Sequence, residues 1–364
     1  MTRARQNANI SPAVGRNMVI NGAMNVAQRS ASVTGIGAAN GYFTCDRWRI
    51  DTAASAGRLT MTQTADGPNG ISANCIKLDC TTADTSIAAG EQLTLIQSFE
   101  GQNLQRIGKG VTGAKQITVS FYVKANAAFT FGAELFESDN NRQITKLFET
   151  TTDWARHEIT FPADVDDGSS PLDDDNATSF NLVFWLHAGT TFTGGTLNSA
   201  SWANYTNANR AAGIDSFYSS TDNNFFITGV QMEVGPVATD FEQEDISTTL
   251  AKCQRYYYKT GPLASNACFG TGFNVSTTVG VGETVFPVKL RAIPTALEQN
   301  GTAAHYRIAH RATATTCSAV PALDRVNTDR AITTFTVGSG LTAGDGIEIR
   351  SQNSTAFLAW SAEL

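Results

Sequence analysis

Two stretches decide the fold: Asn17-Met-Val-Ile-Asn-Gly-Ala-Met-Asn-Val-Ala-Gln-Arg29 and Phe225-Phe-Ile-Thr-Gly-Val-Gln-Met-Glu-Val-Gly235. Each sets β-branched, aromatic or other apolar residues beside an Asn or Gly, so each reads as a strand next to a turn. Thr44-Cys-Asp-Arg-Trp-Arg49 follows the first stretch, and the run Pro236 to Glu242 continues the second. They bracket a long series of short alternating segments. That placement is expected of a single β-sandwich closed by pairing its first and last strands.

Working inward, Ile117, Val119, Phe121 and Val123 share one face of an extended segment, and Thr118, Ser120, Tyr122 and Lys124 share the other. This period of two marks a half-buried strand. Phe129, Phe131, Ala133 and Leu135 repeat it. Phe180, Leu182, Phe184 and Leu186 do so again, with Val183 and Trp185 making that strand apolar on both faces. Further strands are expected near Arg58–Thr64, Cys75–Cys80, Leu93–Phe99, His157–Phe161 and Phe225–Val234. Together they suffice for two packed antiparallel sheets, a jelly roll.

Composition agrees with this reading. Charged residues are only 16% of the 364, against roughly 25% in ordinary soluble domains. A net charge of −7 argues against a nucleic-acid partner, which needs a basic face. No apolar run reaches the roughly 18 residues of a membrane span, and the N-terminal residues lack the apolar core of a secretory signal. The six cysteines form neither a CxxC pair nor a zinc spacing with the four histidines, so reduced, mostly buried thiols are expected. Cys75 and Cys80 fall on opposite faces of one strand and should not bridge. Trp48, Trp154 and Trp185 lie in or beside strands and read as core.

The pattern changes after Asp245. Leu250, Cys253 and Tyr257 recur at helical spacing, Asp245 or Ser247 offers an N-cap, and Gly261-Pro262 supplies a stop. The resulting division is an arm over 1–16, a jelly roll over 17–245, a helical linker over 246–262 and a smaller β domain over 263–364. Strands in the last are expected near Val285–Leu290, His305–His310, Ile332–Val337, Ile347–Arg350 and Ala356–Leu364. Pro287 and Pro294 should hold theirs to an edge or bulge.

The stretches quoted above resemble modules opening N-x-x-I-N-G-x-M-x-V-x-Q-R and closing F-x-I-T-G-V-Q-x-E-V-G-x-x-A-T-x-F-E in virion fibre proteins of tailed bacteriophages. Leu250-Ala-Lys-Cys-Gln-Arg-Tyr-Tyr-Tyr258 is similar to a segment that follows the jelly roll there, and the ending Ser361-Ala-Glu-Leu364 to their C-termini. The resemblance covers residues 17–364 in patches. It implies a carbohydrate-binding-like jelly roll, attachment to a host surface, virion proteins as partners, trimeric assembly, and production in the host cytoplasm with release by lysis. On that reading the basic residues Arg3, Arg5 and Arg16 dock the chain on the virion, and the helix with the C-terminal domain forms the trimer seam. A purely structural decorating fibre and a glycan-degrading tail enzyme are the alternatives.

No catalytic motif is found: neither HExxH nor GxSxG occurs, and Gly101 to Gly110 has the wrong spacing for a phosphate loop. A glycosidase needs two suitably spaced carboxylates, but depolymerases of this kind are long and repetitive, and no internal repeat is present here. The acidic run 164–176, with Asp164, Asp166, Asp167, Asp173, Asp174 and Asp175, offers hard oxygen ligands of the type calcium takes, although the EF-hand spacing fails. A solvated acidic turn is the plainer reading. For sugar contact the candidates are Trp202 and Tyr205, set among Asn198, Asn204 and Asn207 in one polar loop. The competing reading is that Trp202 anchors that loop to the sandwich.

Overall fold

The computed structural model describes residues 15–165, 171–261, 264–311 and 313–364. The chain divides into two compact units, 1–244 and 245–364. Among the described residues no helix is long and apolar enough to cross a membrane.

Among the described residues the first unit contains thirteen strands: β1 Ser32–Ile36, β2 Gly41–Tyr42, β3 Arg49–Ala53, β4 Arg58–Thr64, β5 Cys75–Thr82, β6 Gln92–Glu100, β7 Ile117–Ala125, β8 Thr130–Glu137, β9 Arg142–Glu149, β10 Ala155–Phe161, β11 Thr178–Ala188, β12 Ala203–Asn204 and β13 Asn224–Val234. They form two antiparallel sheets, a six-stranded one in the order β1-β4-β5-β13-β7-β10 and a seven-stranded one in the order β12-β9-β8-β11-β6-β3-β2. The alternation predicted for residues 117–124 is seen directly, since Ile117, Val119, Phe121 and Val123 enter the core between the sheets. Opposite them stand Phe131, Ala133 and Leu135 from β8 and Phe180, Leu182, Phe184 and Leu186 from β11. This is an all-β jelly-roll sandwich.

Closure of the sandwich differs from expectation. The last strand, β13, lies inside its sheet between β5 and β7, and β1 pairs with β4. Residues 17–29 form no strand. Pairing of β13 with β5 ends at Ile227, and beyond it the irregular segment 17–22 takes the vacated side. Met18 N–H donates to Met232 O at 2.8 Å and Val230 N–H to Gly22 O at 3.0 Å. Gly229, read as a turn glycine, is instead a bulge inside β13, with φ at 60° and a register shift between Thr228 and Gln231; such left-handed backbone favours glycine.

The second unit opens with a helix over Ile246–Gln254, capped by Asp245, whose carboxylate accepts from Ser247 N–H at 2.8 Å. The predicted stripe ends early. Thr249 and Cys253 are its buried positions, Leu250 is only half-buried, and Tyr257 already belongs to the next strand. The tyrosines favour extended structure, and Tyr257–Thr260 pairs with Leu358–Ser361 in a three-stranded sheet completed by Glu298–Gln299. A seven-stranded antiparallel sheet carries the rest, with Phe269, Ile308, Phe335, Ile347 and Ile349 in the core alongside Trp360. The strand expected at Val285–Leu290 ends at Val285, just before Pro287, and lies inside its sheet rather than at an edge.

Candidate functional site

The seven-stranded sheet of the first unit turns the odd side of β11 outward. Val183 and Trp185 therefore lie outside the main core. They are buried all the same, at 2% and 1% exposure, because the segment after β11 folds back over them with Ala211, Phe192 and Ile214. A short helix, Thr190–Thr193, starts this return. Trp185 is thus buried, but beneath a loop rather than between the sheets.

The outward face is organised by one buried carboxylate. Glu134 on β8 accepts from the Trp185 indole N–H at 2.7 Å and from two Arg210 guanidinium nitrogens at 2.8 Å each. Glu134 is fully buried, so the pairing is charge-assisted and geometrically fixed. Burial opposes the Arg210 charge, and Glu134 more than offsets this, holding the guanidinium above its ordinary pKa. The same guanidinium lies 4.8 Å from the Trp185 ring, 5.1 Å from Phe136 and 5.2 Å from Tyr205. Tyr205 stands edge-on to Phe136 at 5.4 Å and is 39% exposed. Its hydroxyl is hydrogen-bonded to Asn207 Oδ1. The result is a solvent-facing phenol ring on a rigid bed of Phe136 and Arg210, with amides beside it.

The predicted sugar-loop residues separate into two groups. Tyr205 and Asn207 sit together at this surface. Trp202 is 8% exposed, packs on Phe180 at 5.9 Å and donates its indole N–H to Pro162 O at 2.8 Å, which is the anchoring arrangement. Asn198 donates to Gln143 O at 2.8 Å and fixes the loop to β9. Asn204 accepts from Arg142 at 3.1 Å.

The acidic run is likewise divided. Asp164 is buried and takes a two-point contact from Arg142 at 2.8 Å, with Lys109 at 3.7 Å. Lys109 also pairs with the fully buried Glu137 at 3.0 Å. Asp173, Asp174 and Asp175 are exposed, and Asp166 and Asp167 lie outside the described residues. Among the described residues no group of three or more His, Cys, Asp or Glu is placed to hold a metal ion. Arg3 and Arg5 also lie outside the described residues. Arg16 is not part of a detached arm: it pairs with Glu233 at 3.3 Å and donates to Asp240 O at 3.2 Å, while Gly15 N–H donates to Glu242 at 2.8 Å.

Two arrangements involve partners that the sequence does not show. His187 bridges Ser216 at 2.7 Å and Glu91 at 3.0 Å. Its side chain is fully buried, and burial lowers its pKa despite Glu91 and Asp84, so it serves to tie β11 to the turn at 216. The other is Trp154, expected in the core but half-buried on the outward side of the six-stranded sheet. Only the pairing of β10 with β7 reveals it.

No protein-family model and no curated protein matches the sequence. Solved structures with some likeness include a CBM4 module, at 12% identity and a TM-score of 0.30, covering 59% of this chain and 97% of its own. The family 11 carbohydrate-binding module from Clostridium thermocellum, in complex with a β-1,3-1,4-mixed-linked tetrasaccharide, shows 13% identity and a TM-score of 0.27 over 53% of this chain and 91% of its own. Tailspike protein 4 of bacteriophage CBA120, in its enzymatically active domain, gives 11% and 0.31 over 60% of this chain, but only 21% of the tailspike chain is spanned.

Proposed function

We propose that the chain is a non-catalytic glycan-binding protein that a bacteriophage virion fibre presents to a host surface. The observation that carries the binding role is Tyr205, an exposed ring held on Phe136 and Arg210 with Asn207 at its hydroxyl. A pyranose needs this combination: an aromatic face for its C–H groups and fixed donors and acceptors for its hydroxyls. The fibre role is supported by the phage-like motifs at both ends of the sandwich. A single shallow site of this kind should bind near millimolar, about −4 kcal/mol. Assembly as a homotrimer would raise the effective affinity through multivalency.

The purified chain applied to a glycan array tests the binding role, with Tyr205→Ala and Phe136→Ala as comparators. A drop in binding in both variants, with unchanged melting, is the expected result. Equal binding by parent and variants would overturn the site, and release of reducing sugar would replace binding by hydrolysis. For the fibre role, the purified chain should compete with phage for host cells, and light scattering should give three times the monomer mass. Undiminished adsorption would favour a structural decorating role.

A further inference from the structure

The six-stranded sheet carries a second aromatic surface on the opposite side of the sandwich. Phe225, Val123 and Leu78 point into the core, so their neighbours Phe226, Lys124 and Lys77 point outward. Cross-strand register places these in one line. Phe226 stands opposite Lys124 on β7 and Lys77 on β5, Lys77 opposite Thr62 on β4, and Thr62 opposite Ser32 on β1. Trp154, next to Ala155 opposite Val123, extends the line on the other side. The row crosses six strands, about 24 Å at the usual strand spacing.

The chemistry of the row alternates. Lys124 Nζ lies 5.2 Å from the Trp154 ring and 4.7 Å from Phe226, and Lys77 Nζ lies 5.5 Å from Phe226. Trp154 and Phe226 meet edge to face at 6.2 Å. Each cation already has its anion, Lys124 with Asp66 at 2.8 Å and Lys77 with Asp79 at 2.9 Å. The Asp66 side chain is half exposed, and Trp154 is oriented by its indole N–H donating to Asp66 O at 3.0 Å. Beyond Lys77 the row continues in hydroxyls, with Ser32 Oγ and Thr62 Oγ1 2.9 Å apart.

We infer that this face is a second carbohydrate site, taking an extended oligosaccharide of neutral sugars. The paired charges leave no surplus positive charge for an acidic glycan or nucleic acid, while carboxylate and ammonium side by side offer both acceptors and donors to sugar hydroxyls. The row sets Lys124 and Lys77 with their carboxylates among its rings, whereas the centre of a protein contact is depleted of charge, which argues against a protein partner. The length of the row selects a chain of sugars over a single one. The inference stands on its own residues and does not need the Tyr205 site.

The test is made with the full chain in the Tyr205→Ala background, which removes the other site. Cellohexaose, mannohexaose, xylohexaose and hexagalacturonate are titrated calorimetrically, alongside the disaccharides of the neutral series. Residual binding of at least one neutral hexaose, weaker for its disaccharide, is expected, and adding Trp154→Ala should weaken it about tenfold. Asp66→Asn, which keeps the ring, should weaken it as well and covers the case in which Trp154→Ala impairs folding. Absence of binding to every neutral hexaose in the Tyr205→Ala protein would overturn the inference while leaving the Tyr205 site standing. So would binding indifferent to both further substitutions, or a preference for hexagalacturonate. Self-association of the parent chain that Trp154→Ala abolishes would reassign the face to contact between copies.

Discussion

Met232 N–H donates to Asn17 Oδ1 at 3.0 Å, joining two residues from opposite ends of the sandwich. The same Asn17 oxygen accepts from Val19 N–H at 2.9 Å, and its amide donates to Val230 O at 3.1 Å. One side chain thus supplies what a neighbouring strand would give β13 where β5 stops. The two stretches that identify the fold do pair with each other, by a side chain and an irregular segment rather than by a ladder.

Asn17→Ala should therefore destabilise the sandwich by about 3 kcal/mol, because two N–H groups and one carbonyl lose their partner together. Gly22→Ala should act in the same direction, since a Cβ there would fall 2.1 Å from Val230 O. Urea unfolding measures both. A loss below about 1 kcal/mol for Asn17→Ala would mean that the segment only drapes over β13.

Trp202→Ala and Tyr205→Ala should behave oppositely, although only three residues separate them. Removing the buried Trp202 ring should cost about 3–5 kcal/mol. Removing the exposed Tyr205 ring should cost under about 1 kcal/mol and remove the glycan binding that its own site supplies. Thermal melts paired with array binding read both effects.

The buried Lys109–Glu137 pair gives a third expectation. Glu137→Leu alone should cost about 3–5 kcal/mol by leaving Lys109 charged and underpaired in the interior. Lys109→Met together with Glu137→Leu should recover much of that loss. A double-mutant cycle by denaturant unfolding checks this, and strict additivity of the two single changes would contradict it.

Acid should weaken the first unit through His187. Burial lowers its folded pKa, so the unfolded chain binds this proton more readily. The stability contributed is full above about pH 6.5, the unfolded value, and is lost as pH falls below it toward the lower folded value. His187→Gln should flatten that part of the stability profile. His157, also lowered by burial, should add a slope of the same sign.

The strands around Ile117 and Phe180 were legible because each side chain's face follows from its own position in the alternation. What was not legible depends on partners distant in sequence. Residues 17–29 look like a strand, and only the bulge at Gly229 makes an irregular segment the better neighbour. Tyr257 fits a helical stripe until Leu358–Ser361 offers it a ladder. Trp202 and Tyr205 have the same local surroundings, and the carbonyl of Pro162 decides which of them is buried. Trp154 reads as core because nothing local says which side of β10 faces Lys124. At the candidate sugar surface, Tyr205 and Asn207 were readable as candidates from composition, whereas Glu134 and Arg210, which hold them, were not.

Five of the six thiols are enclosed, and burial pushes Cys75 and Cys80 up to about 11 and Cys317 to about 12. Only Cys268, in the second unit, is exposed. Thiolates are the reactive form, so the folded native chain has one addressable sulfur and needs no engineered cysteine for immobilisation. Partial desolvation and Glu348 raise the Cys268 pKa as well, so a maleimide tether should couple best in mildly alkaline buffer. A surface built this way would carry every molecule by the same atom, with both candidate sugar faces of the first unit chemically untouched.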